Sequence, residues 1–239
     1  MSTPTKAAIS DSDLLAPFAG PASDDANGHR FSRSAWLADV LRQRIVTGVY
    51  QPGERIREAQ LRTEFGFSNG PIREALQAIV ADGLADRAPW HGVSIKVLSE
   101  RQIVELFQVR SALLEYAAER AAKATSPAMI ANAGELKRRL EEGFASIQGD
   151  AHPSFQGHLS QWLLDSAANQ ALRAIWENNM LQTLVYVNAA LMKTRGSKNR
   201  ALIFRLIDQI CAGKVAAARE TARDMTRQTL ADLGIDGDV

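Results

Sequence analysis

Three side chains that can hydrogen-bond to nucleic-acid bases recur at intervals of four residues: Asn69, Arg73 and Gln77. On an α-helix this spacing places all three on one face. A guanidinium can donate two parallel hydrogen bonds to guanine, and a carboxamide presents a donor beside an acceptor, which matches adenine. The spacing therefore predicts a helix face that could contact base edges in duplex DNA.

The surrounding residues indicate which elements would position that face. Opposite it lies an apolar stripe formed by Ile72, Leu76, Ile79 and Val80. Ser68 is placed to cap the helix with its hydroxyl. A second short helix is expected over residues 58–65, ending at Gly66 in a left-handed conformation. Two helices joined by so short a turn fit a helix-turn-helix, although an ordinary helical hairpin would show the same periodicity.

The residues that follow favour the helix-turn-helix. Two short extended runs, residues 84–88 and 93–97, flank the breaker sequence 89–92 and predict a β-hairpin whose tip carries His91 and Gly92. An earlier amphipathic helix is predicted over residues 34–47. Three helices and a hairpin make a winged helix, whose wing tip would meet the DNA backbone or minor groove.

Whole-chain composition limits the possible partners. The 239 residues carry 28 Lys+Arg against 27 Asp+Glu, a net charge of +1, so any nucleic-acid surface must be local. Residues 30–98 hold ten Lys or Arg and seven Asp or Glu, and residues 1–29 are expected to be a flexible tail. Cys211 is the single cysteine, and no apolar run is long enough to span a membrane. A cytoplasmic location without membrane association is expected.

Residues 99–239 have helical periodicity throughout. Six helices are predicted, near 99–125, 126–148, 153–167, 169–195, 198–212 and 214–233, forming an antiparallel bundle with room for a small ligand between helices. The predicted fold is therefore mainly α. It comprises a tail (1–29), an N-terminal winged helix-turn-helix (30–98) and a C-terminal all-α bundle (99–239).

One charged residue interrupts the apolar face of the first bundle helix. Arg110 lies among Ile103, Phe107 and Leu114 on that face. A guanidinium inside a bundle needs a counter-charge, because an unpaired buried charge is costly. A carboxylate from another helix or an anionic effector could supply it, and Glu115 lies on a different face.

Several fixed spacings resemble the winged-helix domain of GntR-type bacterial transcription regulators. They are Ile45-x-x-Gly48, Pro52-Gly-Glu-Arg-Ile56, Ser68-x-x-Pro71-Ile-Arg-Glu-Ala-Leu76, Gly83-Leu84 and Gly92. With the helix face and the wing tip described above, the predicted DNA-binding residues are Ser68, Asn69, Gly70, Arg73, Gln77, His91 and Gly92. This chain has Ser68-Asn69-Gly70-Pro71 where the family usually has Ser-Arg-Thr-Pro, so the operator sequence does not carry over.

The run from Gln108 to Glu115 resembles the all-helical effector domain (FCD type) of the FadR-like branch. Many such domains bind a divalent metal through one aspartate and three histidines. Those positions fall here on Gln156, Ser160, Ile203 and Met225, so neither a metal nor another cofactor is expected. Arg110, Gln156 and Ser160 are the predicted effector-binding residues.

Together these observations predict a homodimeric regulator, a repressor in type, that binds a double-stranded operator and senses a small organic acid. A dimer is expected because one winged helix reads few base pairs. A regulator that has lost effector sensing is the alternative. An enzyme built in the bundle is disfavoured, since the sequence offers no activated cysteine motif, glycine-rich phosphate loop or three-histidine set.

Overall fold

The computed structural model describes residues 32–88, 92–148, 156–195 and 197–239. Within these ranges the chain is mostly helical, and the described strands belong to one small sheet. The helices are α1 (Arg33–Val46), α2 (Glu58–Phe65), α3 (Asn69–Ala81), α4 (Glu100–Lys123), α5 (Pro127–Gln148), α6 (Gln156–Ala167), α7 (Gln170–Thr194), α8 (Ser197–Cys211) and α9 (Val215–Leu233). The strands are β1 (Arg55–Ile56), β2 (Ala85–Ala88) and β3 (Gly92–Ile95). The predicted mainly α fold with a small wing is confirmed.

Helices α1 to α3 pack on the sheet around a compact apolar core. Ile72, Leu76 and Ile79 of α3 are fully buried, as the periodicity predicted, whereas Val80 is only partly buried at the edge of the core. Helix α1 contributes Leu37 and Leu41. Helix α2 ends at Gly66 with φ 66°, the expected left-handed cap. Ser68 occupies the N-cap of α3, but its side chain makes no capping hydrogen bond, so the predicted role of its hydroxyl is wrong.

The wing differs from the predicted two-stranded hairpin. The sheet has three antiparallel strands in the order β1-β3-β2, with Arg55 and Asp86 both opposite Ser94. Strand β1 was not predicted, because two residues are too few to show an alternating pattern. Gly92 begins β3 rather than lying in the loop, and Leu84 and Val97 fall outside the strands. The predicted tip residue His91 lies outside the described residues.

Six helices, α4 to α9, form the second part of the described chain around a larger apolar core. Ser99 opens α4 with a reciprocal capping box to Gln102. Gly213, with φ 66°, separates α8 from α9 as expected. Trp162 and Trp176 are core residues. Within the described ranges, no helix is long and apolar enough to cross a membrane.

Candidate nucleic-acid and effector sites

Helix α3 presents two faces of opposite character. Asn69, Gly70, Arg73 and Gln77 are exposed on one side, and the residues that anchor the helix are buried on the other. Ser68, immediately before the helix, is also exposed. Burial of the apolar stripe therefore holds the polar face outward, as contact with base edges requires.

Arg73 has a partner that the sequence did not indicate. Its Nε donates to Glu58 Oε2 at 3.2 Å, and the Arg73 side chain is 62% exposed. Glu58 is the first residue of α2, so the turn between the two helices brings the ion pair together. An exposed pair of this kind contributes about 1 kcal/mol or less, so a nucleic acid could displace it.

The wing begins at Gly92, which has φ 76° and an exposed surface. A side chain at this position would meet no described atom within 4 Å, so the backbone angle rather than crowding requires glycine. Across the sheet, Val93 and Ile95 are buried and fix the wing to the core. The position of His91 stays a prediction.

Arg110 is buried on α4, as its place in the apolar stripe predicted. Its Nη1 donates to the Thr183 hydroxyl at 3.1 Å, and its guanidinium lies 5.5 Å from the centre of the Trp176 ring. Burial lowers the pKa of Arg110 to about 10. Among the described side chains no carboxylate lies within ion-pair distance of it. The cation therefore has a hydroxyl and a ring face as partners, without a described counter-charge.

Glu115 is engaged elsewhere. It is buried, and its carboxylate accepts two hydrogen bonds from Arg223, at 3.0 and 2.7 Å. Arg219 lies 3.6 Å from the same group. This pairing explains why Glu115 does not neutralise Arg110. The α4–α9 ion pair was not predicted, because sequence periodicity does not indicate which helices are neighbours.

The other predicted effector residues lie on α6. Ser160 is buried there, whereas the Gln156 side chain lies outside the described part of the structure. Ile203 and Met225, at two positions where the FadR-like pattern would place histidine, are buried apolar residues of the bundle core. No cluster of three or more metal-binding side chains occurs within the described residues.

Two amides on α7 connect the bundle to the winged helix. Gln182 Nε2 donates to the carbonyl of Asp82 at 3.2 Å, and Asn188 Nδ2 donates to the carbonyl of Val46 at 2.9 Å. Val46 ends α1 and Asp82 is the C-cap of α3, so each amide satisfies a carbonyl at a helix C-terminus. Thr183, the partner of Arg110, is the neighbour of Gln182 in sequence. Helix α7 thus contacts both the buried cation and the helix carrying the exposed polar face.

These features define a winged helix-turn-helix protein with an appended helical bundle. Residues 34–95 match the family model for bacterial regulatory proteins of the gntR family. An HTH-type transcriptional regulator from the TAR-I ttuE-ttuC' intergenic region of Agrobacterium vitis is 30% identical over 116 residues, covering 48% of this chain and 68% of that protein. The chain belongs to the GntR family.

Two other relatives match more of this chain. The HTH-type transcriptional regulator YdhC of Bacillus subtilis is 31% identical over 147 residues, 58% of this chain and 62% of that protein. The gluconate operon transcriptional repressor of Bacillus licheniformis is 27% identical over 150 residues, 62% of this chain and 61% of that protein. The match therefore spans about three fifths of the length of either relative. Both are transcription regulators rather than enzymes.

Structural similarity extends beyond the family-model match. The solved structure of E. coli McbR/YncC superposes with a TM-score of 0.69, covering 86% of this chain and 98% of that chain at 19% identity. At this identity the similarity concerns the fold, and it includes the helical bundle.

Proposed function

We propose that this protein is a sequence-specific transcription regulator that binds a duplex operator through α3 and the wing. The observation that carries the proposal is the outward polar face of α3, with Asn69, Arg73 and Gln77 exposed opposite an apolar stripe whose Ile72, Leu76 and Ile79 are fully buried. Arg73 would contact guanine, and the two carboxamides match adenine. Ser68, Gly70, His91 and Gly92 complete the proposed contact surface.

Repression, dimerisation and the FadR-like assignment belong to the same proposal. The name of the Bacillus licheniformis relative describes a repressor, which supports repression as the mode of action. The six-helix bundle following the winged helix supports an effector domain of the FCD type, spanning 99–239 beside a DNA-binding domain of 30–98. A homodimer would present two α3 helices and so double the length of DNA that is read.

We further propose that the bundle binds a small organic acid. Arg110 supports this assignment, because its buried guanidinium contacts only a hydroxyl and a ring face among the described groups. An anionic effector would supply the counter-charge through charge-assisted hydrogen bonds. Ser160 and Gln156 on α6 are proposed to contact the rest of the effector.

An effector-independent regulator is the second candidate, and the burial of Arg110 is the observation that favours it. The guanidinium is already enclosed, with the ring face of Trp176 on one side and the Thr183 hydroxyl, which accepts its hydrogen bond, on another. If Trp176 and Thr183 stabilise the Arg110 charge without a ligand, the bundle needs no effector. It would then serve only to hold and pair the winged helices.

Randomised-site selection with the purified protein tests the DNA proposal. We expect one enriched sequence, and we expect Asn69→Arg to change one position from adenine to guanine with a discrimination of roughly 1–3 kcal/mol. Recovery of the same sequence by both proteins would leave Asn69 without a role in base reading. Failure to enrich any sequence would overturn the DNA proposal.

Thermal unfolding with organic acids separates the two effector candidates. Gluconate is a suitable first probe, since it carries a carboxylate and one relative is named for a gluconate operon. A ligand that binds the native state raises the unfolding temperature as its concentration increases. We expect an increase for the wild type with at least one acid in a carboxylate panel, and none for Arg110→Gln. No increase with any acid supports the effector-independent candidate.

A further inference from the structure

A cleft of about 350 Å³ lies between the winged helix and the bundle. One wall consists of the end of α1 and the turn after it, residues 45–52. The other is formed by α7, over residues 185–192. The cleft contains none of the residues proposed above to contact DNA or the anionic effector, so neither of those sites accounts for it.

The cleft wall is mainly apolar, and its described residues carry no formal charge. Its lining includes Ile45, Pro52, Val185 and Met192, and no Asp, Glu, Lys, Arg or His is among the described residues that line it. Two of its polar side chains use their donors internally: Thr47 donates to the carbonyl of Gln43 at 2.8 Å, and Gln51 donates to the carbonyl of Gly48. A charged ligand would find no counter-charge here, whereas a neutral one would lose little by leaving water.

Asn188 supplies the specific polar feature of the wall. Its Nδ2 is engaged with Val46, but its buried Oδ1 has no hydrogen-bond partner in the described part of the chain. The residue is 4% exposed, so bulk solvent has little access to this oxygen. A buried amide oxygen without a hydrogen-bond donor lowers the stability of the fold. A ligand N–H or O–H would supply the missing donor. Met192, unbranched and half-buried, is the lining side chain best able to shift and admit such a donor.

We propose that this cleft binds a small, neutral, largely apolar molecule that donates one hydrogen bond to Asn188 Oδ1. The ligand would contact α1 on one side and α7 on the other, next to the existing Asn188–Val46 hydrogen bond. Occupancy would therefore favour this arrangement of winged helix and bundle. This site is separate from the proposed anionic site at Arg110, and its binding test requires no DNA.

Calorimetric titration of the full chain with indole tests the proposal, because indole is neutral, apolar and has a single N–H donor. The comparison ligand is 1-methylindole, which keeps the rings but lacks the donor. We expect saturable binding of indole that is tighter by roughly three- to tenfold, the effect of one neutral hydrogen bond. Equal affinities would overturn the role of Asn188, and no saturable heat with indole would overturn the site.

Two tryptophan substitutions on α7 locate the binding. Ala189 is exposed and lines the cleft, so Ala189→Trp should fill it and abolish indole binding. Ala174 is an exposed residue of the same helix outside the cleft lining, so Ala174→Trp should bind indole as the wild type does. Circular dichroism establishes that both variants fold. Indole binding that persists in Ala189→Trp would place the ligand elsewhere and overturn the proposal.

Discussion

Two arginines in this chain carry the same group in opposite surroundings. The Arg73 side chain is largely exposed and forms an ion pair with Glu58. A DNA base can therefore replace Glu58 as its partner at little cost in free energy. Arg110 is buried beside Trp176 and Thr183, where a strong anionic partner would gain most. The two arginines therefore have different proposed roles, contact with DNA and contact with an effector, because they differ in solvent exposure and local dielectric.

The Arg73–Glu58 pair leads to opposite expectations for its two members. Arg73→Ala should weaken binding to the selected DNA site by about 1–3 kcal/mol, because a base contact is lost. Glu58→Gln should strengthen binding by up to about 1 kcal/mol, because it frees Arg73 and removes a negative charge near phosphates.

Fluorescence anisotropy at fixed salt measures both changes. Arg101→Ala is the matched control, since Arg101 is a highly exposed arginine on α4, outside the winged helix. Equal affinities for Glu58→Gln and wild type would show that the ion pair does not restrain Arg73.

Replacing Arg110 should stabilise the protein in the absence of effector. Burial lowers the Arg110 pKa to about 10, well below the ordinary pKa of an arginine, so the folded state disfavours the charged form. Its unfavourable contribution to stability is fully present below about pH 10 and declines as the pH rises through that pKa toward the ordinary arginine value. Arg110→Met removes the charge at similar length and should raise the free energy of unfolding by roughly 1–3 kcal/mol at pH 7.

Chemical denaturation without ligand provides the measurement. Arg120→Met, on the exposed side of the same helix, should change stability little. A loss of stability in Arg110→Met would mean that the Trp176 and Thr183 contacts outweigh the cost of burying the charge.

At the level of elements, apolar periodicity predicted the helices that pack against the two cores. Residues 69–81 and 100–123 form helices because their stripes meet the two cores. Strand β1 escaped prediction because its pairing with β3 depends on residues about forty positions away. The hydrogen bonds from the α7 amides to the ends of α1 and α3 were not predicted for the same reason. The sequence does not indicate which distant carbonyl a glutamine or asparagine on a helix will bind.

Gly83 shows how closely α7 approaches the winged helix. It has φ 71°, and a β-carbon there would lie 2.3 Å from Gln182 Nε2. Gly83→Ala should therefore lower the free energy of unfolding by more than the roughly 1–2 kcal/mol of a left-handed alanine. In a Gln182→Ala background the same change should cost only the backbone component, because the clash is gone.

A double-mutant cycle by denaturant unfolding measures the coupling between these positions. The control is Gly134→Ala in helix α5, where a β-carbon meets no described atom and the backbone is helical, so stability should rise by up to about 1 kcal/mol. Additive effects of Gly83→Ala and Gln182→Ala would mean that the Gln182 side chain can turn away from position 83 at no cost.

At the level of the molecule, the charge distribution suits local rather than general attraction to DNA. The whole chain has a net charge of +1, and several cations of the bundle are paired, such as Arg138 and Arg200 with Glu135 and Glu141. The bundle should therefore add little to nonspecific binding. DNA affinity should depend on the winged helices and on how many of them act together.

The proposed homodimer predicts both the form of the DNA site and its response to salt. A two-fold dimer places two α3 helices in successive major grooves, so selection should return an inverted repeat with half-sites about one helical turn apart. Sedimentation of the protein alone should give twice the chain mass. Each phosphate neutralised adds about 0.9 to the slope of log affinity against log salt, so a full site should show roughly twice the slope of an isolated half-site. A single unrepeated sequence, with equal slopes for full and half-sites, would indicate that the chain binds DNA as a monomer.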